Sequence, residues 1–514
     1  MFSGTIIPQF NNIQISSSDA DRPEEVTIAI NPNNPVEIAA GANINYFFSH
    51  SEEIKGWTQK RLSSDLGVWG DPCVVYDTKN NLYFAHLSNP VDGYWIDRIV
   101  VQKSDDNGDT WNNGAGVGYN YPKNQDKEWL AVDHSKSEYR NNIYMAWTEF
   151  DDYGSLDGKD SSRIQFSFSN DEGETWSSPK KISDVEGNCI DEDDTVEGAV
   201  PAVGPNGEIY VAWAGPLGLM FDKSLDGGNT FGKDIFISDI PGGWAFNVPG
   251  ISRCNGMPIT ACDISNSEYR GNVYVGWSDQ RSGTDNTDIF FIKSTDGGET
   301  WEKTLKVNDD NTSRHQFFTW MTVDSTNGNI YFLFYDRRNT ANNETDVFIA
   351  RSTDGGESFQ NYKISESSFI PNPNIFFGDY TNIAAYNGII RPIWMRMDNN
   401  SLSIWTAEIR DSELDITNVE KNQFEVKEYN LYQNYPNPFN PSTIVSYSIP
   451  NQTYVTINVF DILGNRITTL FEGSREPGIY EVEYNSENSL STGIYYYQII
   501  TPEFSQTNKM MLLK

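Results

Sequence analysis

Short runs of alternating apolar and polar residues recur along most of the chain, each closed by a polar turn. CVVYDTKNNLYFAHL (73–87), LAVDHSKSEYRNNIYMAW (130–147), PAVGPNGEIYVAW (201–213), ITACDISNSEYRGNVYVGW (259–277) and WMTVDSTNGNIYFLFY (320–335) share one layout. Each reads as a hydrophobic strand, a turn, and a second strand rich in aromatics. A third strand follows in every case (RIVVQK, RIQFSF, GLMFDK, DIFFIK, DVFIAR), then a turn and, in most, a fourth (KKIS, IFIS, LKVN, YKIS). Four strands repeating every ~40–50 residues predict the blades of a propeller. Two weaker units flank these, EVTIAINPNNPVEIAAGAN (25–43) and YTNIAAYNGIIRPIWMR (380–396). The last unit has only three strands of its own, and NNIQIS (11–16) is expected to supply its fourth. Closing the ring in this way removes the open sheet edges. Seven blades are favoured, and six is the alternative.

The turn between the third and fourth strands carries a repeated phrase: SDDNGDTW (104–111), SNDEGETW (169–176), SLDGGNTF (224–231), STDGGETW (294–301) and STDGGESF (352–359). Its glycines supply positive φ without a Cβ clash. Its aspartates, Asp106, Asp171, Asp226, Asp296 and Asp354, are expected to accept backbone N–H bonds from two or three residues on. The closing aromatic can tuck under the turn. The phrase is therefore read as structural, and the chemistry is sought on the opposite face, over the central channel. That face is built from the connections between blades and from the loops joining second and third strands. Its segments include GDP (70–72), DKEW (126–129), DEDDTVEG (191–198), RCNGMP (253–258), FGDY (377–380), SDQRSGTDNTD (278–288) and YDRRNTANNETD (335–346). Arg281, Arg337, Asp71, Glu128, Asp279, Asp336 and Asp379 are the candidate binding residues. Carboxylates and guanidiniums hydrogen-bond sugar hydroxyls or a sugar acid, and aromatic faces stack on sugar rings. For any single position, the loop-forming tendency of Asp and Gly is the plainer account.

Composition narrows the function. With 13% aromatics, 40 Gly and 23 Pro, the chain suits an all-β protein dense in turns. A net charge of −35 disfavours a nucleic-acid partner. Four cysteines make no disulfide framework, although Cys189 and Cys254, in loops of neighbouring blades, could pair. No zinc-ligand spacing occurs. The acidic run 191–195 is a calcium candidate without the spacing of a pre-arranged loop; no other cofactor is expected. No run reaches the ~18–20 apolar residues of a membrane span. MFSGTIIPQFNN, at the start, has neither the basic nor the apolar region of an export signal.

Residues 411–428 lose the blade pattern and read as a linker between a propeller (1–410) and a small Ig-like β-sandwich (429–514). NYPNPFNPST (434–443), FDILGNRI (460–467), GIYYYQI (493–499) and the terminal KMMLLK (509–514) carry a resemblance to the C-terminal sorting domain of the bacterial type IX secretion system. That resemblance implies export by the type IX machinery, followed by release or attachment at the cell surface. The repeated turn resembles the Asp box, or BNR repeat, of sialidases and related propellers, which include both glycosidases and proteins without enzyme activity. Against the sialidase pattern, FGDYTNIA (377–384) is similar to the nucleophile segment and nominates Tyr380. VEGAVPAVGPNGEIYVAW (196–213) nominates Glu197 as its partner base, and DRP (21–23) nominates Arg22 for the carboxylate grip. The pattern fails elsewhere: the first blade's loop offers Glu52 and Glu53 where the family has its acid Asp, and the family has six blades. A glycan- or protein-binding propeller acting on extracellular glycans or glycoproteins is the preferred expectation; an exo-α-sialidase or other glycoside hydrolase, with its site on the face opposite the Asp boxes, is the alternative.

Overall fold

The computed structural model describes residues 10–51, 56–340, 342–414, 429–434, 436–475, 478–486 and 490–513. Residues 1–9, Glu52 and Glu53, and the linker stretch 415–428 lie outside the described residues. The chain divides into two compact units, 1–411 and 412–514.

The first unit is a ring of seven antiparallel sheets, six of four strands and one of five. The innermost strands are Thr27–Ile30, Cys73–Tyr76, Asn124–Val132, Glu197–Val203, Ile259–Cys262, Gln316–Val323 and Asn382–Tyr386. Each packs on the next, and the seventh packs on the first. The N-terminal strand Asn12–Gln14 pairs with Ser401–Ala407, placing Asn12 opposite Ala407, so the two chain ends share the seventh blade. That blade also gains Ile409–Arg410 beside Ile389–Asp398. Asp411 accepts a hydrogen bond from the Tyr331 hydroxyl at 2.6 Å and pairs with Arg351 at 3.1 Å. The propeller thus extends to the first residue expected in the linker.

The second strand of each blade is sandwiched between neighbours, which explains its run of large apolar residues. Trp147, Trp213 and Trp277 occupy equivalent places on such strands and are fully buried. The repeated turn binds itself and its neighbour. In the fourth copy, Ser294 Oγ donates to Asp296 Oδ1 (2.7 Å) and accepts Gly298 N–H (2.8 Å). Asp296 also accepts Thr300 N–H at 2.9 Å and Thr300 Oγ1–H at 2.6 Å. The aspartate therefore reaches four residues on, beyond the two or three expected, because two successive residues of positive φ, Gly297 and Gly298 here, fold a longer loop around it. Asp106, Asp171, Asp226 and Asp354 make the same bonds, with Ser358 replacing Thr in the last copy. The closing aromatic packs on a Phe of the preceding blade: Trp111 on Phe47 (5.1 Å), Phe231 on Phe166 (4.8 Å), Trp301 on Phe221 (5.0 Å) and Phe359 on Phe291 (5.2 Å). Each such box pins one blade to the next.

The second unit is a sandwich of two antiparallel sheets. One holds Asn430–Leu431, Ser442–Ile449 and Gly478–Asn485; the other holds Arg466–Arg475, Thr453–Phe460, Gly493–Ile500 and Ser505–Leu512. Val445, Tyr447, Ile457, Val459, Tyr497, Ile499 and Met510, drawn from both sheets, form its core.

All four cysteines are buried free thiols, so the possible Cys189–Cys254 pair does not form. Among the described residues, no helix is long and apolar enough to cross a membrane.

Candidate functional site

The inner strands begin with an unusual backbone. Glu25, Asp71, Lys127 and Phe318 have φ of 52°, 50°, 53° and 50°, and Gly198 and Gly378 have φ of 76° and 82°. These six residues stand at the start of the first, second, third, sixth, fourth and seventh inner strands respectively. In the third, fourth and sixth blades the residue sits in a shift of strand register. A bulge of this kind re-aims the side chains around it. A left-handed conformation at residues other than glycine is strained and persists only where the surroundings hold it. Here these left-handed residues bring a set of charged groups together at the strand starts, on the face opposite the Asp boxes.

Lys127 is the hub. Its ammonium lies 2.5 Å from Asp379 Oδ2, 3.5 Å from Asp71 Oδ2 and 3.6 Å from Glu25 Oε1. Arg253 donates through Nε to Asp379 Oδ1 at 2.9 Å, and its Nη2 reaches the other oxygen. Its Nη1 donates to Asp191 Oδ2 at 2.7 Å. Asp191 also accepts the Tyr153 hydroxyl (2.9 Å) and the Trp244 indole N–H (3.0 Å). The cluster joins the third blade to the connections that lead into the first, second, fourth, fifth and seventh.

Its electrostatics follow from burial and crowding. Burial opposes the charge of Asp379, yet Arg253 and Lys127 outweigh it and hold this carboxyl below the usual range. Burial likewise opposes the charge of Lys127, but Asp379, Asp71 and Glu25 overcome it, so the ammonium holds its proton more firmly than usual. The remaining acids go the other way. Burial, then the charge of Asp71, pushes Asp126 up to about 8. The same two causes raise Glu25 and Glu128 well above the carboxylate range. Burial, then Asp191 and Asp126, does so for Glu197. Neither carboxyl oxygen of Glu128 or of Glu197 has a hydrogen-bond partner, which favours the neutral acid in both.

A cavity of about 430 Å³ opens on this cluster, lined by Glu25, Asn43, Asp71, Asp126, Lys127 and Arg253 together with Trp69, Trp95, Tyr153 and Phe376. Trp129, Trp320 and Tyr380 pack together across the ring, with Trp129 and Trp320 centred 4.2 Å apart and Trp129 edge-on to Tyr380 at 5.6 Å. Since these rings come from the third, sixth and seventh blades, they meet across the channel. A larger hollow of about 610 Å³ lies among Asn33, Asn34, Glu37, Asp105 and Asp109, beside an Asp box. It has no aromatic lining and none of the buried charge, so chemistry rather than size selects the channel mouth.

Of the residues nominated from sequence, Asp71 and Asp379 contact Lys127, and Glu128, Glu197 and Tyr380 are buried within reach of its charge. Among the described residues, no hydrogen bond joins Tyr380 to Glu197. Tyr380 is buried, and burial followed by the charges of Asp71 and Glu25 disfavours its ionisation. Arg22 is set apart: its side chain is 78% exposed and faces Asp21 at 3.6 Å. The charge on the first blade's DRP segment therefore stays in solvent, and the guanidinium at the site is Arg253. Arg281 is tied to Asp279 at 2.6 Å and stacks over Phe290 at 4.4 Å. Asp336 is tied to Arg338 at 2.7 Å. Arg337 is buried over Phe317 and donates to Pro249 O at 2.6 Å. The nominated Arg281, Asp279, Asp336 and Arg337 thus brace strand ends and loops and stand outside the cluster. The acidic run 191–195 is not laid out as a cage: Asp191 is taken up as described, and Asp193 accepts Ala245 N–H at 3.0 Å. Among the described residues, no group of three or more His, Cys, Asp or Glu is placed to hold a metal ion.

Fold and site together define an Asp-box propeller with a polar, aromatic-lined channel mouth. Residues 141–389 match the family described as a BNR repeat-like domain, and residues 433–513 match the secretion system C-terminal sorting domain; the chain carries both. No curated protein matches its sequence. Among solved structures, the NanB sialidase from Streptococcus pneumoniae is 11% identical, with 80% of this chain and 99% of that one covered and a TM-score of 0.44. An ulvan lyase of polysaccharide lyase family PL25 is 13% identical, covering 79% and 96%, with a TM-score of 0.47. The α-L-arabinanase from Penicillium chrysogenum is 13% identical, covering 78% and 98%, with a TM-score of 0.42. At these identities the likenesses carry no argument about activity.

Proposed function

We propose that this is an exported glycan-binding propeller whose site is the channel mouth, and that its ligand is a neutral sugar of an extracellular polysaccharide or glycoprotein. The supporting observation is the lining of one cavity by Trp69 and Trp95 beside Glu25, Asn43, Asp71 and Asp126. The indole faces take the C–H face of a sugar ring, and the carboxyl and amide groups take its hydroxyls. The two cations of the cavity are already matched by Asp379 and Asp191. No spare guanidinium fork is left for a sugar carboxylate, which would need one for bidentate recognition. In this reading the sorting domain delivers the propeller to the type IX machinery, for display on the cell surface or release.

Hydrolysis of a neutral glycan is the second reading, and Asp126 favours it. A carboxyl that holds its proton to about 8 suits a general acid at neutral pH. Asp71, whose charge helps to hold that proton, is the natural partner carboxylate.

A glycan array with neutral and sialylated members, run beside assays of reducing-end release and fluorogenic sialoside cleavage, tests both readings. Retention of a neutral glycan without turnover is expected. Neutral turnover lost in Asp126→Asn would establish the hydrolase. Sialoside cleavage lost in Tyr380→Phe would overturn both.

A further inference from the structure

We infer that the channel mouth engages an extended glycan chain, not a single terminal sugar, along an aromatic track that leaves the cavity over the second and third blades. This rests on the reading of the channel mouth as a neutral-glycan site. Inside the cavity, Trp69 and Trp95 keep 40% and 42% of their surface exposed. Beyond it, Tyr94, Tyr119 and Tyr121 are 46%, 57% and 59% exposed. Tyr94 and Trp95 belong to the loop between Leu82–Leu87 and Ile99–Ser104, and Tyr119 and Tyr121 to the connection between Ala115–Val117 and Asn124–Val132. Both segments lie on the channel face, side by side.

The rings are held, not loose. Tyr94 stands edge-on to Tyr121 at 5.1 Å, and Trp95 edge-on to Tyr153 at 5.7 Å. The Arg98 guanidinium lies 4.3 Å over the Tyr119 ring. Edge-to-face packing fixes each orientation while leaving apolar surface open. Large aromatics are seldom left half-exposed in a row without a ligand to cover them. Polar side chains accompany the rings: Asn120 donates to the buried Glu149 at 2.8 Å, and Lys123 pairs with the same carboxylate at 3.1 Å. A continuous aliphatic patch would suit a protein partner; fixed rings with the Asn120 amide and the Lys123 ammonium beside them suit successive sugars, each with an apolar face and a rim of hydroxyls.

The test uses the full chain and its Tyr94→Ala/Tyr121→Ala double variant. Arabinoxylan, mixed-linkage β-glucan, laminarin and galactomannan are cast in native gels, and the polymer that retards the protein supplies a disaccharide and a hexasaccharide for calorimetry. The expected result is a hexasaccharide bound about tenfold or more tightly than the disaccharide, from one or two added aromatic contacts. The double variant should lose that gain while binding the disaccharide as before, since Trp69 and Trp95 remain. Equal affinity for both lengths, or a gain that survives in the double variant, overturns the track alone. No retardation by any polymer, with no binding of their disaccharides or hexasaccharides, overturns the site reading and the track with it. The thermal midpoint of the double variant, expected to match the parent, separates lost binding from lost fold.

Discussion

Replacing Asp379 by Ala removes the one carboxylate that the buried Lys127 shares with the part-exposed Arg253. Lys127 Nζ, 2.5 Å away, and Arg253 Nε, 2.9 Å away, are left facing each other with Asp191, Asp71 and Glu25 at their far sides. A buried ion pair is poor evidence of net stability, but removing one partner strands charge in the interior at a cost of about 3–5 kcal/mol. With an unfolding entropy of about 2.1 cal/mol/K per residue, a unit of this size loses roughly 1.2 °C per kcal/mol, so its midpoint should fall by about 4–6 °C. Differential scanning calorimetry at pH 7 measures this, with Arg22→Ala as the control; that exposed side chain should shift the midpoint by less than about 1 °C. If Asp379→Ala also melted within about 1 °C of the parent, the claim that the cluster is a packed, desolvated hub would be wrong.

Other outcomes follow from the same physics. Asp126 is an acid with a raised folded pKa, so it binds a proton in the folded state that the unfolded chain releases, and stability falls as pH rises from about 4 to about 8. Asp126→Asn should therefore raise the thermal midpoint at pH 8–9 but not at pH 4; an equal shift at both would refute the assignment. The Thr300 hydroxyl and N–H hold Asp296 down at about 2, so its contribution is present above the unfolded value near 4 and is lost as pH falls towards about 2. Asp296→Ala should cost about 1–2 kcal/mol from its lost hydrogen bonds and speed amide exchange at Gly298 and Thr300; exchange unchanged there would contradict the bonding described. Thiol titration should find four reactive groups in denaturant and almost none in the native protein, and fewer than four under non-reducing denaturation would reinstate a disulfide.

Much of the propeller is legible in the sequence because its physics is local. Alternating runs, glycine turns and the box aspartates all act within eight residues. Even the ring closure shows itself, since NNIQIS resembles the outer strand that the last unit lacks. The site is less legible because it is assembled across the ring. Lys127 and Asp379 are far apart in the chain, and nothing in DKEW or FGDY says that they will meet. What unites EE, GDP, DKEW, VEG and FGDY is a charged or glycine residue of left-handed backbone at or just before the start of an inner strand; that shared position is the available signal. Arg253 had less of one, because its long connection carries no repeat. The DRP likeness around Arg22 spans only three residues, too few to fix where its side chain points.

The most direct test of the account is a calorimetric titration of whichever neutral oligosaccharide the array selects, against the parent, a channel-mouth variant (Trp95→Ala with Asp71→Asn) and an Asp-box-side variant (Asn34→Ala with Asp105→Ala). The channel-mouth variant should bind about tenfold or more weakly with its fold intact, while the other binds as the parent does. Undiminished binding by the channel-mouth variant, or loss confined to the Asp-box-side variant, would contradict it.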